Sequence, residues 1–194
     1  MTLATKITIG RIVLVPVFAV LAVAYGKSVA DGQPDPSLRW WALGVFIAAA
    51  VSDGLDGWVA RRFNQKSKLG AFLDPIADKF LLAVGVIVLS LVDWKVGGWR
   101  LPLWFAVIVV FRDSLILIGI RILWNHKCEV KYVPHWVGKV ATFTQMFALG
   151  WVMLQWLDYS PVWPCAVAGF FTLWSSWVYW RQWATILNES SSKS

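Results

Sequence analysis

Leu101-Pro102-Leu103-Trp104-Phe105-Ala106-Val107-Ile108-Val109-Val110-Phe111-Arg112-Asp113-Ser114-Leu115-Ile116-Leu117-Ile118-Gly119-Ile120-Arg121-Ile122-Leu123 decides the class of fold. A helix crossing the hydrocarbon of a bilayer needs about 20 mostly apolar residues. This stretch supplies them, with one adjacent pair of charges near its middle and Arg121 near its end. Five further apolar runs lie at 9–25, 39–61, 70–92, 137–157 and 161–183. Together they predict an all-α integral membrane protein with about six transmembrane helices. The breaks between the runs carry turn chemistry, as in Asp31-Gly32-Gln33-Pro34-Asp35-Pro36-Ser37, Val96-Gly97-Gly98-Trp99-Arg100 and Asp158-Tyr159-Ser160-Pro161.

Composition agrees. Of 194 residues, 58% are hydrophobic and 15% charged, against about 25% charged in soluble domains. A soluble chain of this length needs a polar surface that these residues cannot provide, and the same composition excludes disorder. A net charge of +7 is also what a nucleic-acid binder shows, but the placement of the charges explains it without one. The N-terminus, the second and fourth loops and the C-terminus hold Lys6, Arg11, Arg61, Arg62, Lys66, Lys68, Arg121, Lys127, Lys131, Lys139, Arg181 and Lys193. The opposite loops hold Lys27, Arg39, Lys95 and Arg100. Positive loops face the cytoplasm, so both termini are expected there, with no nucleic-acid partner.

Trp40, Trp41, Trp94, Trp99, Trp104, Trp156 and Trp163 fall near one set of helix ends, where an aromatic belt belongs. The first run, with Lys6 and Arg11 before it and Ala22-Val23-Ala24 at its close, has the outline of a secretory signal. Termini on one side require an even number of spans, which favours a first helix that stays. The chain is expected to form one membrane domain over 1–194, with a serine-rich tail frayed from about 186. Cys128 and Cys165 are placed on opposite faces and are not expected to bridge.

Four carboxylates stand where a bilayer disfavours them. Asp53 and Asp56 lie in the second run, and Asp74 and Asp78 in the third. At 3.6 residues per turn each pair is within about 60° of arc, on one helix face. An ionised Asp in a span costs about 2.5–3.5 kcal/mol, and four together repel one another. Arg61 and Lys79 are nearby cations, but two point charges leave most carboxylate oxygens unserved. An oxygen-only donor set suits two divalent ions such as Mg2+, Mn2+ or Ca2+, in the two-metal arrangement of phosphoryl chemistry. Gly57, Ala60 and Gly70 leave helix surface bare beside the acids. Small residues at that spacing are commonly helix-packing sites; beside four acids and Arg61 they also make room for a phosphate-bearing ligand.

The run Asp53-Gly54-Leu55-Asp56-Gly57-Trp58-Val59-Ala60-Arg61, then eight residues to Gly70, three to Asp74 and three to Asp78, resembles the complete signature of the CDP-alcohol phosphotransferases. That resemblance implies two divalent cations, Mg2+ or Mn2+, held by Asp53, Asp56, Asp74 and Asp78. It implies a CDP-lipid pocket of Gly57, Ala60, Arg61, Ser67 and Gly70, with Arg61 on phosphate. Asp78 would also be the base that deprotonates the acceptor alcohol. Implied partners are CDP-diacylglycerol, a small phosphorylated alcohol and the surrounding lipids, at the cytoplasmic face of the inner membrane; a homodimer is left open.

Within that family, Leu3-Ala4-Thr5-Lys6-Ile7-Thr8-Ile9-Gly10-Arg11 and Gly70-Ala71-Phe72-Leu73-Asp74-Pro75-Ile76-Ala77-Asp78-Lys79 are similar to phosphatidylglycerophosphate synthases, although Ala4-Thr5 stands where Pro-Asn is usual. Arg112, Arg121 and Lys139 form a candidate pocket for the acceptor's phosphate. Pairing with Asp113 is the rival role for Arg112, and positive-inside charge the rival for Arg121 and Lys139. Arg112-Asp113 replaces the Arg-Glu of glycerophosphate users, and Ile120 occupies the place where their next Arg stands. Both departures resemble CMP-forming cardiolipin synthases, which keeps phosphatidylglycerol open as acceptor. A cation transporter with midplane acids is the reading from another class, but no internal repeat supports it. His126 and His135, without a Cys-His cluster, read as loop residues.

Overall fold

Helices stop where the turn residues stand. The computed structural model describes the backbone of residues 3–63, 68–95, 97–125, 136–155 and 159–191, and the side chains of 9–52, 79–95, 97–119, 136–155 and 159–185. The described residues form six α-helices and no strand: α1 (Leu3–Ala30), α2 (Pro36–Phe63), α3 (Lys68–Leu91), α4 (Leu103–Asn125), α5 (Trp136–Leu154) and α6 (Val162–Ser191). Each overlaps one of the six apolar runs, and its ends fall one to eight residues from those of the run. Helix α6 runs to Ser191, into the stretch whose composition predicts fraying.

The turn between α1 and α2 shows how local chemistry sets these limits. Gly32 takes a φ of 72°, a left-handed conformation that glycine adopts without steric cost. Its N–H donates to the Val29 carbonyl, and the Gln33 N–H reaches back to the Ser28 carbonyl at 3.0 Å. That pairing closes the last turn of α1. Asp35 then caps α2, its Oδ1 accepting from the Ser37 N–H at 2.8 Å, with Pro36 at the first helical position where a missing N–H does no harm.

The chain forms two compact units. The first holds α1, α2, α3, the loop to Leu101 and the last turn of α5. Helix α1 packs on both α2 and α3. Phe18 of α1 and Phe46 of α2 meet with ring centroids 5.4 Å apart, and Gly85 of α3 receives Leu149 and Phe46. Trp94 departs from the expected belt: it is fully buried, its ring edge-on to Tyr25 at 4.9 Å. The loop folds back instead of facing lipid, because Leu101 N–H donates to the Leu89 carbonyl at 2.9 Å and Trp94 N–H to the Trp99 carbonyl at 2.8 Å. The Trp94 carbonyl accepts from Tyr25 and from Gln155, and Gln155 Oε1 accepts from Arg39 at 2.7 Å. Trp40, Trp41, Trp104 and Trp163 are exposed, as a belt requires.

The second unit holds α4, α5 as far as Ala148, and α6. Helix α4 packs on α6. Gly119 of α4 lies against the Trp183 indole, and Gly169 of α6 admits the Trp104 ring. Gln145 of α5 donates to Thr172 of α6 at 2.8 Å, and both are buried.

Large apolar side chains point outward along the described helices, among them Val20, Trp41, Val107, Phe143 and Phe170. Contiguous exposure of this kind suits a lipid solvent. Among the described residues, two stretches, Ile9–Ala30 and Trp136–Leu154, are long and apolar enough to cross a membrane. A glycine pair separates packing from propensity. In Gly26→Ala the new Cβ meets Val92 Cβ at 2.6 Å, an atom fixed to its backbone, and such overpacking costs about 1–3 kcal/mol. Gly44 has nothing within 4 Å, so Gly44→Ala is expected to stabilise α2 by about 0.5–1 kcal/mol. Thermal unfolding in detergent checks both signs.

Candidate active site

The eight positions of the acidic signature all fall within helices. Positions 53, 56, 57, 60 and 61 lie in the C-terminal part of α2, and positions 70, 74 and 78 in the first turns of α3. The two helices meet, and α1 packs on both. The side chains of Asp53, Asp56, Gly57, Ala60, Arg61, Gly70, Asp74 and Asp78 lie outside the described residues, as does Ser67 entirely. The four acids of the signature would offer carboxylate oxygens alone, with no His or Cys among the signature positions. Hard, oxygen-preferring divalent cations fit such donors. Among the described residues no group of three or more His, Cys, Asp or Glu offers a metal site.

The expected acceptor residues divide. Lys139, in the first turn of α5, is exposed. Arg121 sits in the last turns of α4 with its side chain outside the described residues, and His126, His135 and Cys128 fall in the undescribed 126–135. Arg112 of α4 is 2% exposed. Its Nη1 donates to Asp113 Oδ1 at 2.7 Å, forming the ion pair that was its rival role. Its Nη2 donates to Ser175 Oγ of α6 at 3.2 Å, and its Cζ lies 6.0 Å from the centre of the Tyr179 ring. Arg112 Nε finds no hydrogen-bond partner among the described residues. Gly138 completes the cluster, because a Cβ there would stand 2.6 Å from the Tyr179 hydroxyl and 3.5 Å from Arg112 Nη2.

Sequence reading did not reach Ser175 and Tyr179. The available signal was slight: two hydroxyl-bearing residues four apart, on one face of a helix otherwise rich in Trp, Phe and Val.

The sequence model of the CDP-alcohol phosphatidyltransferases matches residues 1–187. The chain belongs to this family. It is therefore a membrane-associated transferase, and divalent-metal dependence is general in the family. Among similar curated proteins is the CDP-diacylglycerol–glycerol-3-phosphate 3-phosphatidyltransferase of Bacillus subtilis, 31% identical over 189 residues, covering 93% of this chain and 94% of that one. Proteins of the same name from Salmonella typhimurium and Escherichia coli K12 are each 33% identical, over 183 and 180 residues respectively, with 90% of this chain and 91% of theirs covered. The phosphatidyltransferase signature is thus carried on α2 and α3, while the buried Arg112 cluster lies on α4, α5 and α6.

Proposed function

We propose that this protein transfers the phosphatidyl group of CDP-diacylglycerol to a hydroxyl of sn-glycerol 3-phosphate, releasing CMP. The observation that carries this reading is the complete acidic signature on α2 and α3, in a chain similar over nine-tenths of its length to proteins named for that reaction. The acceptor oxygen attacks the phosphorus that bears the diacylglycerol; a new P–O bond forms and the P–O bond to CMP breaks. Asp53, Asp56, Asp74 and Asp78 hold two divalent cations, Mg2+ or Mn2+, which when bound supply neutralising charge to the diphosphate. Asp78 also takes the acceptor's proton. Gly57, Ala60, Ser67 and Gly70 line the nucleotide pocket, and Arg61 pairs with phosphate. Arg112, Arg121 and Lys139 take the acceptor's phosphate.

The six helices are read as six spans with both termini and the site on the cytoplasmic side of the inner membrane, the arrangement that the Lys and Arg distribution favours. A soluble acceptor then arrives from water while the lipid donor enters from the bilayer. CMP release by the purified protein with a panel of acceptors tests the reading. Release with sn-glycerol 3-phosphate is expected. Release with phosphatidylglycerol alone replaces the acceptor, and no release with any alcohol removes the reading.

Acceptor recognition carries its own expectation. A charged hydrogen bond lost from such a pocket removes about 1.5–3 kcal/mol, a ten- to hundredfold effect. Arg121→Ala and Lys139→Ala are each expected to raise KM for glycerol 3-phosphate by about that factor, with KM for CDP-diacylglycerol nearly unchanged. Steady-state kinetics in mixed micelles separates the two constants.

A further inference from the structure

We infer that Ser175 and Tyr179 of α6 are positioning residues that, with Asp113 and the bare backbone at Gly138, set the Arg112 guanidinium so that its Nε–H stays uncommitted for the phosphate of the acceptor. The inference rests on the acceptor reading above and adds α6 to the acceptor site. A guanidinium carries five N–H donors in a rigid fork. Here the two terminal nitrogens are tied in different directions, Nη1 to Asp113 Oδ1 at 2.7 Å and Nη2 to Ser175 Oγ at 3.2 Å. The Tyr179 ring limits the guanidinium from a third side. Its hydroxyl comes so close to α5 only because residue 138 has no Cβ.

Anchoring both terminal nitrogens restrains the guanidinium plane, yet Nε is left without a partner among the described residues, on a residue 2% exposed. A buried charged donor without a partner is rare in folded proteins and asks for an explanation. An oxyanion that docks during turnover is one: it accepts from Nε–H and meets a donor whose direction is already fixed. A guanidinium suits such a ligand better than an ammonium does, since its donors are planar and directional.

The test uses the full-length purified protein in CDP-diacylglycerol micelles. Ser175→Ala and Tyr179→Leu are each expected to raise KM for glycerol 3-phosphate about tenfold. The turnover number and KM for CDP-diacylglycerol should stay within about twofold. Ser175→Thr, which keeps the hydroxyl, and Tyr179→Phe, which keeps the ring, should restore most of the loss. Arg112→Lys keeps the charge beside Asp113 but not the fork, and should raise the same constant. Added to Arg112→Lys, Ser175→Ala should then have no further effect, because its target is gone. Additive losses, or both substrate constants rising together, would overturn the inference in favour of a packing role. Should Tyr179→Leu fail to fold, Ser175→Ala with its Thr counterpart decides alone. Arg112→Lys with an unchanged acceptor constant overturns the acceptor reading and this inference with it. A raised constant in Arg112→Lys, with Ser175→Ala and Tyr179→Leu at wild-type values, overturns the positioning alone.

Discussion

Asp53→Asn and Asp74→Asn are each expected to abolish CMP release while leaving expression and thermal stability close to wild type. Each change keeps the size of the side chain and removes one negative charge from a donor set made wholly of carboxylates. A divalent ion loses a strong ligand when Asp becomes a neutral amide. Metal stabilisation of transition-state charge is worth several kcal/mol, so its loss lowers the rate by more than about a thousandfold at about 1.4 kcal/mol per tenfold. Removing repulsion among four acids offsets part of any packing cost, which is why stability should hold. Release of CMP is measured with and without excess chelator. Full activity in chelator, or in either variant, would show that the acids serve another purpose.

Asp78→Asn has the second large effect, and its signature differs. If Asp78 only held metal, donor binding and turnover would fall together. If it also takes the acceptor's proton, it contributes to the transition state beyond binding, and general-base catalysis is worth about a hundred- to ten-thousandfold. Turnover should therefore fall by at least about a hundredfold more than the affinity for CDP-diacylglycerol does. Binding measured by protection against thermal unfolding, set beside CMP release, distinguishes the two. Equal losses would make Asp78 a ligand and nothing more.

The helices were legible in the sequence because each apolar run is long enough for a helix and is closed by turn residues. Asp35-Pro36 and Gly32 marked the first turn, and the structure uses them as cap, first helical residue and left-handed residue. The acidic signature was legible because its spacing is local, within helices. Trp94 was misplaced because nothing near it in sequence announces that the Leu101 N–H returns to the Leu89 carbonyl. Ser175 and Tyr179 were missed for a similar reason. Ser175 stands 63 residues from the arginine it contacts, and scattered hydroxyls in an aromatic helix do not by themselves mark a partner so far away in sequence. Arg112 lay between these extremes. Its neighbour Asp113 was named as a partner from adjacency alone, while its further contacts are tertiary.

The turn at 28–37 bears on how the chain is made. Its hydrogen bonds run among Ser28, Val29, Gly32, Gln33, Asp35 and Ser37, so these bonds need no residue synthesised later. As the nascent chain leaves the ribosome, the hairpin of α1 and α2 can set its bend and register before the third helix exists. Later arrivals such as Trp94 and Gln155, which join Tyr25 and Arg39 across long stretches of chain, then fasten onto a pair of helices already folded back on themselves. In this part of the molecule the order of synthesis would then match the order of assembly, and the acids of α2 would already stand on a partly built frame when those of α3 emerge.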